Sequence, residues 1–328
     1  MAIHVSRRAT VLGAIALAAL AGPAFAQDAR APKGPIEIVV PASAGSTPDV
    51  LMRRMAKIFA DEKIIDIPMV IVNRPGGAWS VGMRWLLDRP GDENTVLSLA
   101  EPVFSTPIVQ GGPTAYDQFT PLAVFMQTQL MVVAQPNHEA KTLKDLVEIA
   151  RAKPRQVKMA GSSPGSTDAQ VAGLIEKAGD VKLTFIPHDG GGAAQATFLG
   201  GNTDIITLTL DEALPLIKAG KAKPLAVLTN ARRPEADLKD ISTAKEQGVE
   251  VVWGQIFGLV GAPKLDPAVA KWWDEKITQL VATKAWQDAL AAGFLGSDFI
   301  HGAELKAYLD NVHKSRLEIL RQLGLAKS

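Results

Sequence analysis

The sequence predicts an α/β protein with mostly parallel sheets and two domains. Short apolar segments typical of buried strands alternate with segments whose apolar residues recur at helical spacing, as in parallel sheets covered by helices. A length of 328 residues suits two domains of ordinary size. A strand, a loop of small residues and a helix follow one another at both 36–59 and 157–178, which indicates two matching halves.

The predicted elements follow one another along the whole chain after residue 35. Ile36–Val40 is a short apolar run that ends at Pro41, which predicts a buried strand. Thr47 is a candidate N-cap before Pro48, and apolar residues at helical spacing then predict a helix to about Phe59. Further predicted strands cover 69–72, 95–99, 121–125, 130–134, 157–160, 183–186, 205–208, 224–229 and 256–261. One further predicted helix ends near 87, and others cover 142–152, 166–178, 193–200, 212–219, 267–281 and 303–323.

Residues 1–26 predict a secretory signal that is absent from the mature fold. Arg7-Arg8 precedes an apolar run over 11–21, which is shorter than the about 20 residues that cross a bilayer. Ala24-Phe25-Ala26 fits a cleavage site before Gln27. Arg7-Arg8 fits a twin-arginine signal, but Thr10 stands where such a signal usually has a large apolar residue. Both the Sec and the twin-arginine export routes therefore stay open. Either route predicts a periplasmic protein, whose formal net charge falls from +1 to −1 when both arginines are removed.

Composition excludes several kinds of function. With 35 Lys and Arg against 34 Asp and Glu, the chain lacks the basic excess that nucleic-acid binding requires. The absence of cysteine excludes disulfides, thiolate nucleophiles and cysteine-bound zinc. No pair of the 5 histidines has metal-ligand spacing, and Gly190–Gly192 lacks the rest of a nucleotide fingerprint. We therefore expect no metal, no cofactor and no nucleic-acid partner.

Two loops of small residues are the candidate ligand site. The first is 41–47 and the second is 161–167, and each follows a predicted strand and precedes a predicted helix. Small residues let a ligand approach the backbone, and the first turn of a helix offers unpaired N–H groups at the positive end of its dipole. Such loops are suited to bind a carboxylate or phosphate, although each one alone is also an ordinary helix-capping turn.

The second loop also matches the nucleophile elbow of hydrolases. Gly161-Ser162-Ser163-Pro164-Gly165 has the G-x-S-x-G pattern between a strand and a helix, with Ser163 as the nucleophile. The residue after the nucleophile must donate its N–H to the oxyanion, and Pro164 has none. His301 and His313 are formal triad partners, but we expect no enzymatic activity and keep a serine hydrolase only as an alternative.

The order of short motifs resembles that of the Bug-type extracytoplasmic solute receptors, the binding components of tripartite tricarboxylate transporters. The resemblance covers nearly all of the mature chain. Its motifs are P-x-x-x-G-S-x-P-D at 41–49, N-R-P-G at 73–76, Y-D-x-F-T-P at 116–121, K-T-L-x-D-L at 141–146, G-S-S-P-G-S at 161–166, L-G-G-x-x-D at 199–204, I-K-A-G-K at 217–221 and G-L-V-G-A-P at 258–263.

The resemblance implies a type II-like periplasmic-binding-protein fold, in which two lobes close on a hinge around one ligand. It divides the chain into a signal peptide at 1–26, the first part of lobe 1 at 27–133, lobe 2 at 134–228, and the return to lobe 1 with the C-terminal helices at 229–328. It also implies that both loops hold a carboxylate through backbone N–H groups and waters. The expected partners are a small organic carboxylate and the permease subunits, with the receptor itself a monomer.

The sequence departs from the family pattern at several site positions. Ala42 replaces an aromatic residue, which suggests a bulkier ligand, and Asp189 and Asp211 would add negative charge near the cleft. An amino group on the ligand is one way to meet that charge. A sensor for a two-component kinase is the alternative to a transport receptor. The predicted ligand-binding residues are Ala42, Ser43, Ala44, Ser46, Thr47, Asp49, Ser162, Ser163, Ser166, Thr167, His188, Asp189 and Asp211.

Overall fold

Two five-stranded sheets, each covered by helices on both faces, make up the described chain. The computed structural model describes residues 29–111, 115–162, 165–188, 191–293, 295–296 and 298–327. The strands are β1 Ile36–Val40, β2 Met69–Asn73, β3 Thr95–Leu99, β4 Thr120–Gln127, β5 Leu130–Ala134, β6 Lys158–Gly161, β7 Thr184–Pro187, β8 Ile205–Thr209, β9 Lys223–Val227 and β10 Ile256–Gly261. The α-helices are α1 Thr47–Asp61, α2 Ser80–Leu87, α3 Pro102–Gln110, α4 Ala115–Gln118, α5 Leu143–Ala152, α6 Thr167–Gly179, α7 Gly191–Leu199, α8 Leu210–Lys218, α9 Pro267–Ala282, α10 Lys284–Ala292 and α11 Gly302–Gln322.

Both sheets have the same strand order and the same single reversed strand. The first sheet runs β2-β1-β3-β10-β4 and the second runs β7-β6-β8-β5-β9. In the first sheet β10 runs antiparallel to both β3 and β4, and in the second β5 runs antiparallel to both β8 and β9, while the other pairs are parallel. The predicted α/β class with mostly parallel strands is therefore confirmed. The shared order also makes β1 and β6 equivalent strands, so the loops that follow them hold equivalent places.

The chain passes between the sheets twice, and both passages differ from the predicted lobe boundaries. The boundary at 133 falls inside β5, all of which pairs with β8 of the second sheet. The boundary at 229 comes too early, since Val249, Val251 and Trp253 still belong to the hydrophobic core of that sheet. Pairing and packing therefore place the passages at 127–130 and 254–256. That the two lobes move about these passages stays a prediction.

Three of the described helices were not predicted from the sequence. Helix α3 is buried on all sides instead of along one apolar stripe, because Ser105 and Thr106 are buried as well as Val103, Phe104 and Ile108. A stripe at helical spacing is the signal that identifies a surface helix, and a fully buried helix lacks it. Helix α10 follows α9 directly, with Thr283 ending one helix and capping the next, and α4 has only four residues.

The last helix contacts both halves of the described chain. Helix α11 packs against α3 on the first sheet and against α6 on the second. Within the described residues, no helix has both the length and the apolar character needed to cross a membrane. The predicted signal peptide at 1–26 lies outside the described residues.

Candidate functional site

A cavity of about 680 Å³ opens between the two sheets, and both small-residue loops line it. The first loop contributes Gly45, Ser46 and Thr47, and the second contributes Ser162 and 165–167. The first turns of α3, α7 and α8 also reach the cavity. Several helices thus direct the positive ends of their dipoles at one space, which favours a negatively charged group there.

The two helices that begin at these loops share one start. Gly45-Ser46-Thr47 precedes the body of α1, and Gly165-Ser166-Thr167 precedes that of α6. Gly45 has φ +80° and Gly165 has φ +82°, in the left-handed region that suits glycine. Ser46 and Ser166 are the extended N-caps, so Thr47 and Thr167 are the first helical residues. The N–H groups of both threonines have no acceptor inside their helices.

In the first loop an aspartate with a cationic partner closes the turn. The Gly45 N–H donates to Asp49 Oδ2 at 2.9 Å, and Asn73 Nδ2 donates to Oδ1 at 2.9 Å. Arg53, one helical turn later, donates from Nε to Oδ2 at 3.0 Å. The Arg53 guanidinium holds the pKa of Asp49 down to about 2, with help from the Gly45 and Asn73 hydrogen bonds. Asp49 is only 2% exposed, whereas the Arg53 side chain is half exposed, so a buried carboxylate is paired with a cation that reaches solvent.

In the second loop an aspartate closes the turn without such a partner. The backbone N–H and the hydroxyl of Ser162 donate to Asp168 Oδ2 at 2.9 and 2.8 Å. No ion pair to Asp168 is formed among the described residues. Burial raises the pKa of this carboxyl although the Ser162 hydrogen bonds oppose the rise.

A second carboxylate lies on the same side of the cavity. Glu212, in the first turn of α8, lines the cavity and accepts the Thr209 N–H at 3.2 Å. Its side chain is exposed, but the nearby protein removes part of its hydration and so raises its pKa. The charges of Asp211 and Asp168 raise this pKa further. The charge of Asp168 therefore reaches Glu212 on this side of the cavity.

A buried ion pair joins elements of both halves at the cavity. Arg316 of α11 donates from Nε to Glu101 Oε2 at 2.9 Å, and its guanidinium lies 3.6 Å from the centre of the Trp253 ring. Gln170 of α6 donates to Glu101 Oε1 at 2.9 Å and to the Gly165 carbonyl at 3.0 Å. Glu101 thus fixes α6 of the second sheet against α3 of the first.

Strained backbone lines the first-sheet side of the cavity. Ala78 and Trp79 both have positive φ, at +50° and +79°, which is uncommon for residues with a side chain. Thr106 Oγ1 donates to the Ala78 carbonyl at 2.6 Å, and Gln110 Nε2 donates to the Gly77 carbonyl at 3.0 Å. Held strain of this kind concentrates at functional sites.

The structure brings together five of the predicted ligand-binding residues: Ser46, Thr47, Ser162, Ser166 and Thr167 all line the cavity. The six described residues that are not among the lining residues are Ala42, Ser43, Ala44, Asp49, His188 and Asp211. Ser43 accepts both the N–H and the hydroxyl of Ser46 with its carbonyl, and the His188 ring contacts the Gly161 carbonyl at 3.0 Å. Ser163 and Asp189 lie outside the described residues.

Sequence reasoning missed Glu101, Asp168, Glu212 and Trp79, which all line the cavity. For two of them the sequence contains a signal that could have identified them. Asp168 follows the Ser166 N-cap by two residues, and Glu212 follows Thr209 by three, so both stand in first helical turns at the carboxyl ends of central strands. Glu101 carried none, because its partner Arg316 is more than two hundred residues away.

The chain is similar in sequence to known solute receptors. The sequence model described as "Tripartite tricarboxylate transporter family receptor" matches residues 51–325. The UPF0065 protein in the gbd 5′ region of Cupriavidus necator is 25% identical over 99% of this chain and 98% of its own.

Solved structures give the same result for the fold. A TctC solute-binding protein from Polaromonas, solved without ligand, has a TM-score of 0.75 and 23% identity, covering 89% of this chain and 99% of its own. A protein of R. palustris solved with adipate has a TM-score of 0.75 and 20% identity, covering 90% of this chain and 99% of its own. The expected two-domain binding-protein fold is confirmed.

Proposed function

Because this chain belongs to the receptor family of tripartite tricarboxylate transporters, we propose that it captures a small carboxylate-bearing metabolite between its two sheets. The receptor would then deliver that metabolite to the membrane permease subunits of its transporter. The family is one of extracytoplasmic solute receptors, and we assign no chemical step to the cavity. No histidine is among the described residues that line it, which speaks against the serine-hydrolase alternative.

The observation that carries this proposal is the repeated Gly-Ser-Thr helix start on the two sides of one cavity. Thr47 and Thr167 each begin a helix, and both line the cavity. Their unpaired N–H groups suit the two oxygens of a carboxylate or two carboxylates of one ligand. The adipate in the R. palustris structure supports a carboxylate as the ligand class.

We further propose that the working receptor is the chain from Gln27 onward, exported to the periplasm and acting as a monomer. Arg7-Arg8, the apolar run and the small residues at 24–26 support cleavage after Ala26 by either export route.

A ligand screen of the mature chain tests the proposal. Thermal unfolding of the protein that begins at Gln27 is measured with mono-, di- and tricarboxylates. A ligand present at 100 times its Kd should add about 2.7 kcal/mol to the free energy of unfolding. The absence of a shift with every carboxylate would overturn the proposed ligand class.

A backbone variant then tests the role of the loops. Thr167→Pro removes the first N–H of α6, and proline is tolerated at the first helical position. Loss of one hydrogen bond to a charged group, about 1.5–3 kcal/mol, should weaken binding of the best carboxylate about tenfold or more. Lys284→Pro makes the same change at the start of α10, away from the cavity, and should leave the affinity unaltered.

A further inference from the structure

The charged side chains that line the cavity are all acidic. They are Glu101, Asp168 and Glu212, and no lysine, arginine or histidine is among the described lining residues. A ligand with only carboxylates would bring further negative charge beside them. Since like charges at short range repel, the side chains of this cavity are poorly matched to a simple dianion.

One of the three acids already has its counterion. Glu101 is paired with Arg316 at 2.9 Å, and the side chains are only 3% and 8% exposed. Its two oxygens accept from Gln170 and Arg316, so its charge is satisfied inside the protein.

The other two acids have no cationic partner among the described residues. Both hydrogen bonds to Asp168 end on Oδ2, so Oδ1 takes part in neither. Glu212 accepts the Thr209 N–H on Oε2, and its hydrogen-bonding partners, the backbone and side chain of Thr209, are both uncharged. Each helix N-terminus offsets part of the charge of its own acid, but no guanidinium or ammonium of the described chain reaches either one.

The lining of the same cavity also includes a buried hydroxyl that has no hydrogen-bond partner among the described residues. Thr207 of β8 lines the cavity and is only 5% exposed, and its Oγ1 makes no hydrogen bond with the described protein. A buried polar atom of this kind normally has a partner, so the wall lacks a group that would supply one. Strand β8 leads directly into α8, which carries Glu212.

We propose that the ligand of this receptor carries a cationic nitrogen as well as a carboxylate, and that Asp168, Glu212 and Thr207 receive the nitrogen. This inference rests on the proposed function, since it adds a second group to a ligand whose carboxylate is bound by the helix starts. An ammonium supplies both a positive charge for the two acids and an N–H for Thr207 Oγ1, whereas a quaternary nitrogen supplies the charge alone. The ligand class is then a zwitterion such as an amino acid or a betaine.

Matched pairs of probes that differ in one charge test the inference. Glycine betaine and 3,3-dimethylbutyrate have the same shape and differ in having nitrogen or carbon at the branch point, and glutamate with glutarate or aspartate with succinate adds an ammonium to a dicarboxylate. Binding of each member to the mature chain is measured by titration calorimetry at one pH and salt concentration. We expect the cationic member of the best-bound pair to bind about tenfold more tightly or better.

Three variants locate the contact. Asp168→Asn and Glu212→Gln should each reduce the preference for the cationic member about tenfold, while binding of the purely anionic member stays equal or improves. Glu212 is exposed, so its variant keeps the test available if Asp168→Asn impairs folding. Asp211→Asn removes a neighbouring exposed charge that does not line the cavity and should leave most of the preference in place.

The outcomes separate this inference from the proposed function. If neither the pairs nor any carboxylate of the ligand screen binds, the proposed function fails and the inference fails with it. If the screen finds only carboxylates without a cationic nitrogen, the proposed function stands and the inference is overturned. If the purely anionic members bind as well as the cationic ones, the receptor assignment stands and the inference is overturned. A preference that Asp168→Asn and Glu212→Gln leave unchanged, or that Asp211→Asn removes equally, would also overturn it.

Discussion

The two loops of the cavity have one backbone design and opposite electrostatics. Gly45 and Gly165 have φ values of +80° and +82°, and a serine N-cap and a threonine follow each one. In both loops an aspartate accepts a backbone N–H and closes the turn. Yet the pKa of Asp49 is held down by a guanidinium, whereas burial raises the pKa of Asp168.

The residue one helical turn after each aspartate explains this difference. Arg53 follows Asp49 by four residues, and its side chain is 51% exposed, so the face of α1 there is open to a long cation. Ala172 follows Asp168 by four residues and is 5% exposed within the core of the second sheet. A guanidinium has no room at that position, so the second loop keeps an acid without a counterion. The comparison indicates that the first loop is a self-contained anchor and that the second is the one whose charge a ligand can complete.

Removal of the first aspartate should have the largest effect on stability. Asp49→Ala leaves Gly45 N–H, Asn73 Nδ2 and Arg53 without their shared acceptor, in a position only 2% exposed. Buried donors without partners cost about 1–3 kcal/mol each, and some regain water, so we expect the free energy of unfolding to fall by about 3 kcal/mol. Urea unfolding at neutral pH measures the loss.

A matched variant on the same helix controls for the removal of an acid. Asp61 also pairs with a cation four residues away, Lys57, but both side chains are exposed. Asp61→Ala should change the free energy of unfolding by less than about 1 kcal/mol. Equal losses from the two variants would mean that Asp49 is no more important than a surface ion pair, and the comparison of the loops would break.

Replacing the glycine of each loop by alanine should lower the free energy of unfolding by smaller and unequal amounts. Both need a positive φ, so alanine at either position costs about 1 kcal/mol or slightly more. At Gly45 the new Cβ meets open space, but at Gly165 it comes within 3.0 Å of Val109 Cγ2. We therefore expect a loss of about 2 kcal/mol for Gly165→Ala against about 1 kcal/mol for Gly45→Ala, again by urea unfolding.

Gly201 provides the reference for the conformational part of that cost. It has φ +74°, has no atom near its Cβ position and lies outside both loops. Gly201→Ala should therefore match Gly45→Ala. A loss at Gly165 no larger than at Gly201 would show that Val109 yields without cost and that the two loops have equal tolerance.

The sequence predicted most of the fold because its signals are local. All ten described strands stand where apolar runs predicted them. Both small-residue loops lead into helices as predicted, but the N-cap of α1 is Ser46 and not the predicted Thr47, which is the first helical residue. The buried helix α3 was missed because its packing against other elements, not its periodicity, makes it helical. The passages between sheets were misplaced because strand partners are set across distant parts of the chain.

The candidate site was predictable only in part, for the same reason. Backbone N–H donors at helix starts follow from adjacent residues, and the predicted Ser46, Thr47, Ser162, Ser166 and Thr167 do line the cavity. The charges did not follow, because a carboxylate's role depends on whether a cation lies nearby in space. Asp211 was expected near the ligand, but its neighbour Glu212 is the one that lines the cavity.

The pH dependence of stability should show the two loops with opposite signs, as the smallest of these effects. The pKa of Asp49 is about 2 in the folded chain, below its unfolded value, so its contribution is present near neutral pH and is lost as the pH falls through about 4 to about 2. The pKa of Asp168 is raised by burial, so its folded carboxyl favours the proton, and the native state loses stability as the pH rises through that raised pKa. Asp168→Asn should therefore gain stability relative to the unmodified chain as the pH rises above the usual aspartate pKa of about 4. The loss caused by Asp49→Asn should grow as the pH rises from about 2 to about 4 and stay at its full size above that. Urea unfolding of both variants across this range measures the two differences. If Asp168→Asn shows the same pH profile as the unmodified chain, the second loop has no uncompensated charge and the contrast between the loops disappears.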